Sequence, residues 1–174
     1  MYEVGEYIVK PFSGVCRIEK IMHLDVSGAD KKRLYYLLIP INDKSGKIYM
    51  PTDTADSHVR KAMNETDALK VIENIPEIAE IWIENEKQRE QKFKEVIRSC
   101  NPDELVGIIK TLYMRKSKRL EQGKKNTAVD DRYFKLAQNN LYSELGFALH
   151  RNADEVDELI KESINQQKRE KLTV

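Results

Sequence analysis

The sequence predicts an α+β chain of two modules, a small N-terminal β barrel followed by an all-α domain. Three observations carry that expectation. Residues 2–51 contain short β-rich runs, "YEVGEYIVKP", "GVCRIEKIMHL", "RLYYLLIPI" and "KIYMP", separated by turn residues. After Pro51 the apolar spacing changes from strand-like to helical. The second part also carries helix-start signals, of which "NPDEL" beginning at Asn101 is the clearest.

The strand runs are punctuated by Ser13-Gly14, by Ser27-Gly28-Ala29-Asp30 and by the stretch from Asn42 to Gly46. Glycine, asparagine, aspartate and serine favour turns because they tolerate or stabilise the tight backbone there. Val15, Ile18 and Ile21 are spaced through the second run, and Leu34, Tyr36 and Leu38 through the third. Pro11 and Pro51 fit strand edges or ends, since proline cannot donate to a ladder. Four or five short strands in about 50 residues barely cover a core as a flat sheet, so a small closed barrel is expected.

In the second part, Thr66 is expected to cap a short helix carrying Leu69, Val71 and Ile72. Pro76 suits the first turn of a helix running through Trp82 towards Ile97. Ile75, Ile78 and Trp82 fit one face of it, but Asn85 and Glu86 follow where the stripe should continue. The single tryptophan therefore either closes over a core edge or stays exposed to touch something else. Asn101 is the N-cap of the next helix, with Pro102 at its first position and Leu105, Ile108, Ile109, Leu112 and Tyr113 as its apolar face. Thr127 and Asp130 form a capping box before Tyr133, Phe134, Leu136, Ala137, Leu141, Leu145 and Leu149. Asn152 with Glu155 opens a last helix whose end, "NQQKREKLTV", is polar and expected to fray. The expected partition is a β module over 1–55, a helical domain over 56–151 and a helical extension over 152–174.

Composition narrows the function. The chain has 174 residues, 40% hydrophobic and 34% charged, which suits a globular protein with a real core. No stretch approaches the roughly 18 apolar residues of a membrane span. The opening "MYEVGEYIVK" has no apolar h-region, so no signal peptide is expected. Two distant cysteines, Cys16 and Cys100, predict a reducing compartment, the cytoplasm, and no disulfide framework. Net charge is only +1, yet residues 110–135 hold nine Lys and Arg against three acidic residues, a local net charge of +6. Such asymmetry suggests a polyanion partner.

Several chemistries find no residues. His23, His58 and His150 are not at ligand spacing and lack cysteine partners, so no metal is expected. The "GKK" at 123–125 lacks the strand and glycine pattern of a phosphate loop. No nucleophile, base and oxyanion site assembles, so the chain is read as a non-enzyme with no cofactor and no catalytic residue.

The run "VGEYIVKPFSGVCRIEKI" resembles the opening of the CarD/CdnL family of bacterial transcription factors. "YYLLIPI" and "IYMP" fall where that family places its next strands, and Trp82 stands where it carries a tryptophan. "PDELVGIIKTLYMRKSKRL" and "DDRYFKLAQNNLYSELGFAL" are similar to its last two helices, so the likeness spans about 2–150. The resemblance implies a Tudor/SH3-like barrel that binds the β subunit of RNA polymerase. It implies a helical domain at promoter DNA, where the tryptophan wedges the minor groove at the upstream edge of the melted region and the open complex is stabilised.

The residues this assigns to polymerase are Leu24, Tyr36, Ile48, Tyr49 and Pro51. Those it assigns to DNA are Trp82, Lys87 and Arg132; the further basic candidates for DNA are Arg89, Arg115, Lys116, Lys118, Arg119, Lys124 and Lys125. Glu84 and Asn85 replace the basic pair usual after the tryptophan, and Asp131 replaces a common lysine, so the DNA surface is expected to shift towards 115–125. A monomer is expected. The competing reading is a protein–protein scaffold without DNA, in which Trp82 is a partly buried helix residue and the lysines are a solvated face.

Overall fold

The computed structural model describes residues 1–57 and 59–172, with some side chains at 56–57, 167–168 and 170–172 left aside. His58 and the last two residues lie outside the described residues. The chain divides into two units, Met1–Ala62 and Met63–Val174.

The first unit is an antiparallel sheet of five strands. They are β1 (Tyr7–Lys10), β2 (Gly14–His23), β3 (Leu34–Pro40), β4 (Ile48–Pro51) and β5 (Arg60–Lys61), in the order β4-β3-β2-β1-β5. The hairpin between β1 and β2 turns through Gly14, whose φ of 71° lies in the left-handed region that glycine enters without a side-chain clash. Alternation along the strands sends Ile8, Cys16, Ile18, Tyr36, Leu38 and Met50 to one face, where Ala55 and Val59 complete a core. A 3-10 turn, Thr52–Ser57, carries Ala55 there and leads from β4 towards β5, with the Val59 amide donating to the Ala55 carbonyl at 3.0 Å. This gives a curled, Tudor-like layout in which the two edge strands flank one short turn. The unit extends past the expected limit at 55 because β5 pairs with β1 and the Ala62 amide donates to Tyr7 O at 3.0 Å.

A bulge between Ile18 and Lys20 puts one extra residue, Glu19, into β2. Alternation restarts after it, so Lys20 points outward with Arg17, and Ile21 still packs on the core.

The second unit holds α1 (Glu65–Asn74), α2 (Arg89–Ser99), α3 (Pro102–Glu121), α4 (Ala128–Leu149) and α5 (Ala153–Leu172). Its core joins Phe93, Ile97, Leu105, Ile108, Leu112, Tyr133, Leu141, Leu145, Val156 and Ile160. Each large apolar side chain removed from water here contributes on the order of 1.5–3 kcal/mol. Three expected caps are present. Asn101 accepts from the Asp103 and Glu104 amides, Thr127 accepts from the Asp130 amide, and Asn152 and Glu155 bond reciprocally.

Other expectations need correction. α1 is capped by Asn64, which accepts from the Asp67 amide, not by Thr66, and Leu69 faces solvent while Ala68 is buried. Tyr113 is exposed, and Val106 replaces it in the core. α5 is not an appendage, because Val156 and Ile160 sit in the shared core and Ser163 donates to the Ile72 carbonyl. It is helical as far as Leu172, which includes most of the stretch expected to fray, and only the last two residues of that stretch are outside those described.

The largest correction concerns residues 76–88. No continuous helix runs from Pro76 to Ile97. A 3-10 turn, Ile75–Glu77, ends at Ile78 in extended conformation, and α2 begins only at Arg89. Among the described residues no helix is long and apolar enough to cross a membrane.

Both cysteines are buried, and burial pushes the Cys16 thiol up to about 11. Thiolate is the reactive form. Labelling of the native protein by a thiol reagent at neutral pH should therefore be slow at both positions and become complete only in denaturant. Fast native labelling of Cys16 would contradict its place in the core.

Candidate functional site

Residues 78–85 form an extended segment laid along α3, and three α3 residues hold it there. Gly107 makes room: a Cβ at that position would come within 3.0 Å of both the Ala79 carbonyl oxygen and Ile81. The Thr111 hydroxyl accepts from the Ile81 amide at 2.9 Å and donates to the Gly107 carbonyl at 2.9 Å. The Lys110 ammonium donates to the carbonyls of Ile75 and Ile78 at 2.5 and 2.6 Å. These carbonyls lie where the helical turn ends; Ile75 O also accepts from the Ile78 amide at 3.3 Å. Partial burial pulls the Lys110 pKa below its ordinary value.

An extended segment alternates its faces. Ile81 and Ile83 pack on the helical core, so Trp82 between them must point away. It is 83% exposed. The indole borders an open groove of about 240 Å³ with Gln88, Gln91, Lys92 and Glu95, and Glu80 and Glu84 are exposed beside it in sequence.

The segment's far end is fixed by charge. Asp130, at 0% exposure, receives Arg89 Nε and Arg115 Nε at 3.2 Å each, one on either carboxylate oxygen. The same Arg115 donates two bonds to Glu86, at 2.6 and 3.0 Å. Its guanidinium holds the Glu86 carboxyl below the usual carboxylate range, and Glu86 in turn raises Arg115. Asn85 accepts from the Lys87 amide at 3.0 Å and starts the short turn that leads into α2.

This arrangement sorts the residues that the sequence assigned to DNA. Arg89 and Arg115 are half-buried ion-pair partners of Asp130, so they are structural and not free phosphate ligands. Arg119 donates to the Lys125 carbonyl at 2.9 Å, and Arg132 pairs with Glu90 at 2.8 Å while lying 5.0 Å from the Tyr133 ring. Lys87, Lys116, Lys118, Lys124 and Lys125 are exposed and have no ion pair among the described residues. Gly123, at φ 69°, ends α3 with bonds from its own amide to Leu120 O and from the Lys124 amide to Arg119 O, a Schellman motif. That motif, signalled by "LEQGKK", aims Lys124 and Lys125 off the helix end.

The polymerase residues also separate. Tyr36 is fully buried; its hydroxyl accepts from the Tyr2 amide at 2.9 Å and donates to the Tyr2 carbonyl at 3.3 Å. Leu24 is 9% exposed. Neither offers a surface to a partner, because both lie inside the first unit. Tyr49 is 45% exposed on the edge strand β4, between the partly buried Ile48 and Pro51. Among the described residues no group of His, Cys, Asp or Glu could hold a metal ion.

Replacing Asp130 with alanine leaves two guanidinium groups without their shared partner, and removing one member of a buried pair costs about 3 kcal/mol or more. Urea unfolding of Asp130→Ala should show a loss of that order; a loss under about 1 kcal/mol would mean the cluster is dispensable. Acid should act on the same end of the segment. Glu86 has a lowered folded pKa, so its contribution is complete above the ordinary value of 4.5 and disappears as pH falls through the lower folded one. Amide signals of 85–89 should shift in that window below 4.5 and stay constant above it.

No curated protein matches the chain. Residues 2–63, the strands and turns of the first unit, match the family model for the CarD-like/TRCF RID domain. The match covers less than half of the chain, and what it shows is the likeness of the β module to that domain.

Proposed function

We propose that this protein is a transcription regulator whose first module docks on the β subunit of RNA polymerase. On this reading its helical module contacts promoter DNA at the upstream edge of the melted region and stabilises the open complex. The observation that carries the DNA half is Trp82: the largest apolar side chain of the chain stands in water on a backbone pinned at both ends. Solvent gives no reason to hold an indole out so firmly. A rigid, broad, apolar wedge beside a partly unstacked base step does.

Exposed positive charge lies further along the same helix, α3. The pinned segment follows α3 from Gly107 to Arg115, and Lys116, Lys118, Lys124 and Lys125 continue in that direction. At 1.5 Å per residue, Lys118 lies about 10 Å along the axis from Thr111, which holds the Trp82 segment. Backbone phosphates can meet exposed lysines clustered about that end of the helix. For the polymerase half, the edge strand β4 with exposed Tyr49 can add a strand from a partner.

A protein–protein scaffold is the second reading, favoured by Glu80 and Glu84 on either side of Trp82, which repel phosphate and would suit a basic protein partner. The two differ in salt dependence on forked promoter DNA.

Two measurements test the proposal on the full chain. Trp82→Ala should keep its fold, since the ring is in water, and should keep polymerase binding. A base–aromatic contact is worth about 1–3 kcal/mol, so open-complex lifetime should fall by roughly 5- to 150-fold towards the value without the factor. Unchanged lifetime would remove the wedge. Replacing Lys116, Lys118, Lys124 and Lys125 with glutamine should flatten the log–log salt dependence of DNA binding by up to about 0.9 for each phosphate no longer neutralised. An unchanged slope would make the cluster a solvated face and favour the scaffold.

A further inference from the structure

The first module has a second surface, the outer face of its sheet. Register places two cross-strand rows there, Tyr7–Arg17–Ile39 and Lys20–Leu37–Tyr49. Between the rows and the loop after β3 lies an open groove of about 650 Å³. Its floor is aliphatic, formed by Leu37, Ile39, Pro40 and Ile41. Its rim is basic, with Lys20, Lys44 and Lys47 exposed and without an ion pair among the described residues. The one carboxylate on the rim, Glu19, already faces Arg17 at 3.3 Å.

Two local devices build this rim. The β2 bulge turns Lys20 to the outer face directly after Glu19. The loop between β3 and β4 is ordered by Asp43, whose carboxylate accepts from the Ser45 and Gly46 amides at 3.1 and 3.2 Å and from the Ser45 hydroxyl at 2.6 Å. Those bonds hold Lys44 and Lys47 on either side of one short turn.

We propose that this groove takes an acidic peptide segment with interleaved aliphatic side chains, and that such a segment of the polymerase β subunit is its occupant. The assignment rests on the polymerase reading above and adds to it a site, a set of residues and a chemistry. In an extended peptide, side chains two apart share a face at about 6.5 Å spacing, so aliphatic groups can enter the floor while carboxylates meet the rim. Nucleic acid fits less well: the lining has a single aromatic ring, Tyr7, and single strands need stacking platforms.

The test uses the isotopically labelled full chain and a twelve-residue peptide alternating glutamate and leucine. Controls are an alternating glutamate–serine peptide, an alternating lysine–leucine peptide and a single-stranded DNA. The glutamate–leucine peptide should shift the amide signals of Lys20, Leu37, Lys44 and Lys47 and outbind each control. The triple variant K20E/K44E/K47E, whose changed side chains are all in solvent, should weaken that binding about 10-fold or more. It should also lose capture of the polymerase β subunit. Three results would overturn the proposal: peptide shifts confined to 116–125, equal binding by the triple variant, or DNA binding in the groove more tightly than the peptide. If wild type captures β and the triple variant captures it equally, the groove is not the polymerase site and β4 alone remains. If wild type fails to capture β, the polymerase reading falls, while the peptide experiment still decides what the groove binds.

Discussion

A carboxylate with no access to water, Asp130, organises the helical module. Taking that charge out of water is expensive, and one cation would leave an oxygen unmet. Arg89 and Arg115 each approach a different oxygen, and Glu86 balances the second positive charge. Two acids and two arginines thus form a neutral cluster at the junction of α2, α3 and α4. Its geometry accepts one path for residues 86–89, which decides where the preceding segment must arrive. The cluster also reduces what the module can offer a polyanion. The local excess of basic residues between 110 and 135 is partly internal, since Lys110, Arg115 and Arg119 hold backbone or carboxylate oxygens of the module itself.

Between the end of α1 and the cluster, residues 78–85 cross the surface of α3 outside any helix. Gly107 permits close approach, and Thr111 and Lys110 meet the polar backbone groups that a helix would have satisfied itself. The pattern Ile81-Trp82-Ile83 then becomes a two-residue alternation. Both isoleucines gain burial, and the indole is the residue left over. Exposing it forgoes on the order of 1.5–3 kcal/mol that burial of a large side chain would give. The module keeps its cohesion because Phe93 and Tyr133, with ring centroids 5.4 Å apart, fill the core beneath.

What the sequence reveals follows how local each interaction is. Asn101, Thr127, Asn152 and Glu155 bond to amides within three residues, so their helices start where spacing predicts. The faces of α3 and α4 are readable for the same reason, apart from Tyr113. The segment at 78–85 misleads because Ile75, Ile78 and Trp82 fit a helical period by chance, while the groups that override it, Gly107, Lys110 and Thr111, are about thirty residues away. Arg89 and Arg115 look like free cations because nothing near them in sequence announces Asp130 as their partner. Family likeness draws Tyr36 and Leu24 to the surface, yet strand alternation puts Tyr36 among the core residues of its own sheet. The outer groove is not legible at all: it depends on a bulge and on cross-strand register, and neither has a signature in the isolated runs.

On the proposed reading, the acidic flank of Trp82 has a physical use. Glu80 and Glu84 repel phosphates within a Debye length, about 10 Å at 0.1 M salt, so the indole meets an intact duplex at a disadvantage. Where strands have separated, phosphates splay apart and a base face is exposed, and the same repulsion is weaker. The lysines at the end of α3 sit about one Debye length further along, where they can attract the neighbouring duplex without cancelling that discrimination. Attraction and selection are then carried by different residues, the lysines on and just after α3 and the acidic flank of the segment laid along it. A basic pair beside the tryptophan would strengthen binding to every duplex; acidic neighbours confine the wedge to DNA that is already open.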